Sequence, residues 1–181
     1  MKLLDFQRKL SGKYLHTYEL TYENKAGRTK KYEMVSRRAF DSPEQLGNHL
    51  DGLSIAATMN GKLLLLREFR MAVNREIYNL CAGMIEENET IEQCIARELY
   101  EETGLQVKEI RAILPPAFSA VGISDVKTVI AFVEVEGELA DHSSQNEQIR
   151  AAFYTKEEVR KIIYEEEMSD RAQIVAYQFL V

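Results

Sequence analysis

The stretch GMIEENETIEQCIARELYEETGL, residues 83–105, decides how the rest of the chain is read. Thr90 followed three residues later by Gln93 matches a capping box, so a helix is expected to start there. Gly104 suits the left-handed residue that commonly follows a helix end. The spacing therefore predicts a helix over residues 91–103. Projected at about 100° per residue, Ile91, Cys94, Ile95 and Leu99 form one apolar stripe. Glu98 and Glu102, one turn apart, fall inside that stripe. Glu101 sits at its border, and Gln93, Ala96 and Tyr100 lie on the opposite side.

That placement is unusual, because an ordinary amphipathic helix turns its carboxylates to water. Neighbouring like charges at partial burial are costly unless a cation compensates them. Oxygen donors gathered without His or Cys suit a hard divalent cation, magnesium or manganese. The alternative from the cluster alone is a solvated acidic helix end, a common surface feature.

The spaced pattern is more specific than the cluster. Gly83, Glu89, Arg97-Glu98-Leu99, Glu101-Glu102 and Gly104-Leu105 occur at intervals of five, seven, one and one residues. This resembles the Nudix box, GX5EX7REUXEEXGU with U a bulky aliphatic residue, at all nine fixed positions in 23 residues. The resemblance implies a loop–helix–loop metal site in a mixed-sheet fold and hydrolysis of a nucleoside diphosphate linked to another group. It implies Glu98 and Glu102 as metal ligands, Glu101 as a third ligand or a bridge, and the backbone carbonyl of Ala82 as a further donor. Arg97 is expected to pair with Glu89 and hold the box in shape, with a surface ion pair as the plain alternative.

Composition bounds the remainder. A chain of 181 residues, 45% hydrophobic, suits one globular domain with a small annex. The net charge of −6 and a pI near 5.3 speak against nucleic-acid binding through a basic surface. Cys81 and Cys94 lack metal-ligand spacing and read as small buried residues of a reducing compartment. No apolar run approaches the roughly 20 residues of a spanning helix, and MKLLDFQRKL lacks a signal-peptide core. A cytoplasmic protein without a membrane partner is expected.

Residues 14–22 and the segment KYEMVSRRA read as the strands of a polar hairpin, with Tyr14, Tyr18, Tyr22 and Tyr32 available to pack it. LSIAATM and LLLLREF flank Asn60-Gly61, a strong hairpin signal. EIYNLCA is expected as one strand feeding Gly83. VKEIRAIL and VKTVIAFVEVE read as strands, and KEEVRKIIYEE and SDRAQIVAYQFL as amphipathic helices. The fold class is α+β: a mixed sheet sandwiched by helices, with a small antiparallel N-terminal sheet. Residues 1–45 form the annex and 46–181 the main domain.

An N-terminal sheet, then REFR, a strand, Ala-Gly and the box, is similar to the ADP-ribose and nucleotide-sugar pyrophosphatase branch of the Nudix family. That likeness implies a homodimer built through the N-terminal sheets and a nucleoside diphosphate sugar as substrate. ADP-ribose would give AMP and ribose 5-phosphate. Another nucleotide sugar such as GDP-mannose, a nucleoside triphosphate, or a ligand sensor without catalysis are the alternatives. Magnesium is the expected cofactor, manganese its substitute. Arg67 and Arg70 of REFR are candidates for the substrate phosphates. Ser124 and Asp125, in a loop similar to one that shapes the sugar pocket but lacking its proline, are candidates for a sugar hydroxyl. Glu147, before the segment Ile149-Arg150, matches the family's catalytic glutamate, with pairing to Arg150 as the alternative. Gln145 stands where relatives often have a second acid, and Asn79 where the branch often has a glutamate.

Overall fold

The computed structural model describes every residue except Asp141, Ser143, Ser144 and Gln145. Two compact units divide the chain: Met1–Asp51 with Pro116–Thr128, and Gly52–Pro115 with Val129–Val181.

In the first unit, β1 (Lys2–Ser11), β2 (His16–Glu23) and β3 (Thr29–Ser36) form an antiparallel sheet in that order. The hairpin of β2 and β3 follows the sequence reading, whereas β1 was not expected from its largely polar residues. Its pairing with all of β2, from Lys2 opposite Glu23 to Ser11 opposite His16, makes the sheet three-stranded. Tyr18, Leu20, Met34 and Phe40 are its core. The Tyr18 hydroxyl accepts from Phe40 N at 2.6 Å, so the one buried polar atom of that ring is satisfied. Residues 116–128 join this unit through long-range bonds: Val35 N donates to Ile123 O at 2.8 Å, and Lys127 N to the buried Asp51 carboxylate at 2.9 Å.

The second unit is a mixed sheet with helices on its faces. Its strands are β4 (Gly52–Met59), β5 (Lys62–Arg70), β6 (Arg75–Asn79), β7 (Cys81–Met84), β8 (Gln106–Ile113), β10 (Lys127–Glu136, of which Lys127 and Thr128 fall in the first unit) and β11 (Ile149–Tyr154); β9 (Ala117–Phe118) belongs to the first unit. The sheet runs β11-β5-β4-β10-β8, with β6 on β5 and β7 on β4. Asn60 and Gly61, both at positive φ (52° and 72°), make the tight turn between β4 and β5. The single strand expected over EIYNLCA is instead two: β6 pairs with β5, then the chain crosses at Leu80 and β7 pairs with β4. Fully buried Leu80 anchors that switch, which carries Ala82 and Gly83 away from Arg67 and Arg70.

Helix α1 (Ile91–Thr103) has the bounds the sequence predicts. Thr90 Oγ1 accepts from Gln93 N, Gln93 returns the bond, and Gly104 takes a left-handed conformation at φ 75°. Cys94, Ile95 and Leu99 are buried on the sheet. On the other face, α2 (Lys156–Glu165) and α3 (Asp170–Leu180) bury Val159, Ile162, Ile163, Ala172, Val175 and Ala176 against Leu63, Leu65 and Tyr78. Among the described residues no helix is long and apolar enough to cross a membrane.

Candidate active site

The site is built where α1 lies on β7. Arg97 is its clamp. Its Nε and Nη2 donate to the two oxygens of Glu89 at 2.7 and 2.9 Å, the paired geometry in which a guanidinium fork matches a carboxylate. Nη1 reaches Glu98 at 2.8 Å and Glu101 at 3.3 Å, and Nη2 also donates to Met84 O at 3.0 Å. The loop, the helix and β7 are thereby tied through one side chain. The Arg97 hydrogen bonds hold the Glu89 carboxyl down at about 2, and Glu89 in turn raises the guanidinium.

Glu98 and Glu102 face inward, as the helical projection requires. The Glu98 side chain is 13% exposed and Glu101 is 52% exposed. Burial raises Glu98 despite its bond to Arg97. Burial raises Glu102 further, to about 8, although its Oε2 accepts from Ala82 N at 3.2 Å and the Cys81 thiol also lies against it. Among the described residues no arginine, lysine or histidine pairs with Glu102. A Cβ placed on Gly83 would overlap the Glu98 carboxylate, so only glycine admits that group against the β7 backbone. Beside it, Glu102, Leu139, Ala140, Ile149, Arg150 and Ala151 line a cleft of about 290 Å³.

Among the described residues no three His, Cys, Asp or Glu side chains converge into a complete metal cage. The donor set nevertheless fits a hard cation: two inward carboxylates against the Ala82 backbone and a cradle emptied of Cβ by Gly83. Cys81 and Cys94 are free thiols held in place by burial, with Cys94 pushed up to about 12.

The other expected site residues are distributed differently. Arg67 and Arg70 do not share a face of β5. Arg67 lies over the Tyr78 ring and binds Glu76 at 3.2 Å, on the side covered by α2 and α3. Arg70 projects to the other side, beside the buried Glu68 at 3.4 Å. Three residues of separation on a strand place side chains on opposite faces, so the alternation already carried this distinction. Glu68 follows Leu64 and Leu66 on one face of β5, and a glutamate continuing an apolar strand face is the signal in the sequence that points to it. Its Oε1 accepts from Asn79 Nδ2 at 2.5 Å, which gives the departure at position 79 a local partner. Glu147 is exposed just before β11. Arg150 pairs with Glu76 at 2.7 and 2.8 Å. Gln145 lies outside the described residues. Ser124 and Asp125 belong to the first unit, where Asp125 Oδ2 accepts from Gly47 N at 3.1 Å and Oδ1 is buried without a hydrogen-bond partner among the described residues.

A family model, the NUDIX domain, matches residues 48–177. The chain belongs to the Nudix family, and its fold and box are those of a Nudix hydrolase. It is 26% identical to an ADP-ribose pyrophosphatase of Bacillus subtilis over 94% of this chain and 86% of that protein. It is 32% identical to an ADP-ribose pyrophosphatase of Escherichia coli over 58% of this chain and 51% of that one. A crystal structure of an ADP compounds hydrolase superposes with a TM-score of 0.78, covering 99% of this chain and 91% of the other at 15% identity, a likeness of fold.

Proposed function

We propose that this chain is a divalent-cation-dependent hydrolase of the diphosphate bond in ADP-ribose or a related nucleoside diphosphate sugar, with ADP-ribose yielding AMP and ribose 5-phosphate. The observation that carries the reading is the inward pair Glu98 and Glu102, raised by burial and seated against Gly83 and Ala82. Arg97 compensates Glu98 but not Glu102, so a bound cation would supply the missing compensation and favour both groups as carboxylates. The substrate class follows from likeness to the two pyrophosphatases.

The donors are oxygens, so magnesium fits, with manganese as its substitute. Such a cation, when bound, neutralises diphosphate charge and lowers the pKa of water. Glu98, Glu102 and the Ala82 carbonyl would hold it, with Glu101 as the further carboxylate. Arg97 keeps Glu89, Glu98 and Glu101 in register. Glu147 is the proposed general base. As the water oxygen bonds to phosphorus, Glu147 takes its proton, the phosphorus–oxygen bond of the diphosphate bridge breaks, and the bridging oxygen leaves with the other phosphate. Arg70 is the proposed phosphate contact on the Glu102 side of β5. Ser124 and Asp125 are proposed to hydrogen-bond a sugar hydroxyl.

A homodimer is proposed as well. The first unit leaves Leu4, Leu10, Tyr14 and Leu15 exposed, apolar side chains that a second copy would cover. Light scattering on the purified chain tests this, and a monomer at micromolar concentration overturns it.

The activity is tested by incubating the protein with magnesium and ADP-ribose, GDP-mannose, UDP-glucose or ADP-glucose. AMP release from ADP-ribose, lost in Glu102→Gln, is the expected result. Cleavage of a different panel member moves the substrate and keeps the site. Binding without turnover in magnesium and in manganese overturns the hydrolase reading.

A further inference from the structure

Glu68 is buried, 6% exposed, on the β5 face that also carries buried Leu64 and Leu66. A buried carboxylate is retained only where its lone pairs are filled. Here each oxygen has its own partner. Oε1 accepts from Asn79 Nδ2 at 2.5 Å, and Oε2 faces Arg70 Nη1 at 3.4 Å. Asn79 is fixed in turn, because its Oδ1 accepts from Ser169 Oγ at 2.5 Å, and Ser169 Oγ caps α3 by accepting from Ala172 N at 3.2 Å. The chain of bonds therefore starts at a helix cap and ends at an arginine. Arg70 is the exposed member, with 56% of its side chain open to solvent. Glu68 and Arg70, two residues apart on β5, share one strand face. That face is the one toward α1, and Glu68 is close enough for its charge to act on Glu102.

We propose that Glu68 is a positioning residue. The rigid Ser169–Asn79–Glu68 relay holds the Arg70 guanidinium on the cleft side of β5, ready to receive a substrate phosphate. An arginine left to sample its rotamers would have to be ordered by the substrate at each binding event, which weakens affinity. Glu68 does this for Arg70 and touches neither substrate nor cation. The inference rests on the proposed phosphate role of Arg70.

The test is a double-mutant cycle read as binding. The dissociation constant of α,β-methylene ADP-ribose, which cannot be hydrolysed at the diphosphate, is measured by calorimetry with magnesium for wild type, Glu68→Gln, Arg70→Ala and the double variant. A glutamine has one acceptor where glutamate has two, so one partner is lost. The expected result is about tenfold weaker binding in Glu68→Gln, with no further loss when that change is added to Arg70→Ala. The isosteric exchange Glu68→Gln/Asn79→Asp keeps one amide and one carboxylate across the 68–79 bond but takes the charge from Arg70. It is expected to recover wild-type thermal stability while binding stays weak. Additive effects of Glu68→Gln and Arg70→Ala, or wild-type affinity in the exchange variant, overturn the proposal and leave Glu68 a residue of the fold. Coupled binding without turnover by the wild type keeps this proposal and sinks the hydrolase reading. A wild-type chain that does not bind the analogue sinks both.

Discussion

Gly83 and Glu98 are in direct opposition: the space a Cβ would occupy on the β7 glycine is filled by the carboxylate of the α1 glutamate. The strand and the helix can approach only because position 83 has no side chain, and that approach turns the glutamate inward. Gly83→Ala must push Glu98 out or part α1 from β7. The expected outcome is a fall in kcat/KM of about 100-fold or more. The fold should survive with a loss of about 1–3 kcal/mol, the usual cost of overpacking. Steady-state kinetics beside thermal melts check this; wild-type turnover in the alanine variant would show that Glu98 does not need the cradle.

Glu102 makes stability depend on pH in an unusual direction. Burial raises its folded carboxyl to about 8, above the ordinary 4.5. Between those values the folded state binds a proton that the unfolded state does not. The metal-free protein therefore loses stability as pH rises from about 4.5 to about 8, by up to a few kcal/mol. With the metal role proposed for Glu98 and Glu102, magnesium should raise the melting temperature more at pH 8 than at pH 5, because a cation takes the ionised carboxylates of the folded state. In Glu102→Gln the metal-free decline should be smaller and the magnesium response reduced. Melts in EDTA and in magnesium across that range settle it, and a flat profile for the metal-free wild type would contradict the buried reading of Glu102.

Much of this centre was legible in the sequence because its determinants are local. Thr90, Gln93 and Gly104 fix the ends of α1 within one segment, so the inward direction of Glu98 and Glu102 followed from helical geometry alone. Asn60-Gly61 placed its hairpin for the same reason. The rest depends on pairing between distant segments. The polar residues of β1 give no strong strand signal, and it is β2 that supplies their partner. The partner switch at Leu80 is invisible in EIYNLCA because both halves are strand-like; only their different neighbours separate them. Residues 116–128 join the N-terminal unit through bonds such as Val35 N to Ile123 O, which no periodicity reports. Glu68 and the opposite facing of Arg67 and Arg70 were within reach of strand alternation.

Arg97→Lys replaces a fork by a point charge. The two bonds to Glu89 and the bond to Met84 O cannot all be kept by one ammonium. Glu89, held at about 2 by Arg97, contributes stability that is full above its ordinary carboxylate range and is lost as pH falls toward 2. The lysine variant should therefore show a smaller additional loss on acidification, from a starting stability at pH 7 lower by about 1–3 kcal/mol. Denaturant titrations at pH 3 and pH 7 measure both quantities. Equal stability of the two proteins at pH 7 would make the clamp a surface ion pair.

Arg67 and Arg70 separate the two faces of β5 most cleanly. Arg70 stands on the Glu68 side, and its removal should raise KM for a nucleoside diphosphate sugar about tenfold or more with little change in melting temperature, since most of the side chain is exposed. Arg67 stands on the α2–α3 side, against the Tyr78 ring and Glu76. Glu76 would keep Arg150 as its partner when Arg67 is lost, so the cost to the fold is bounded at about 1 kcal/mol. Arg67→Ala should therefore lower stability by that amount and leave KM within about twofold of wild type. Kinetics and melts on both variants give a crossed pattern if the faces have the roles assigned here. A rise in KM from Arg67→Ala equal to that from Arg70→Ala would mean that the substrate reaches both sides of the strand, and would return Arg67 to the binding site that its place in REFR first suggested.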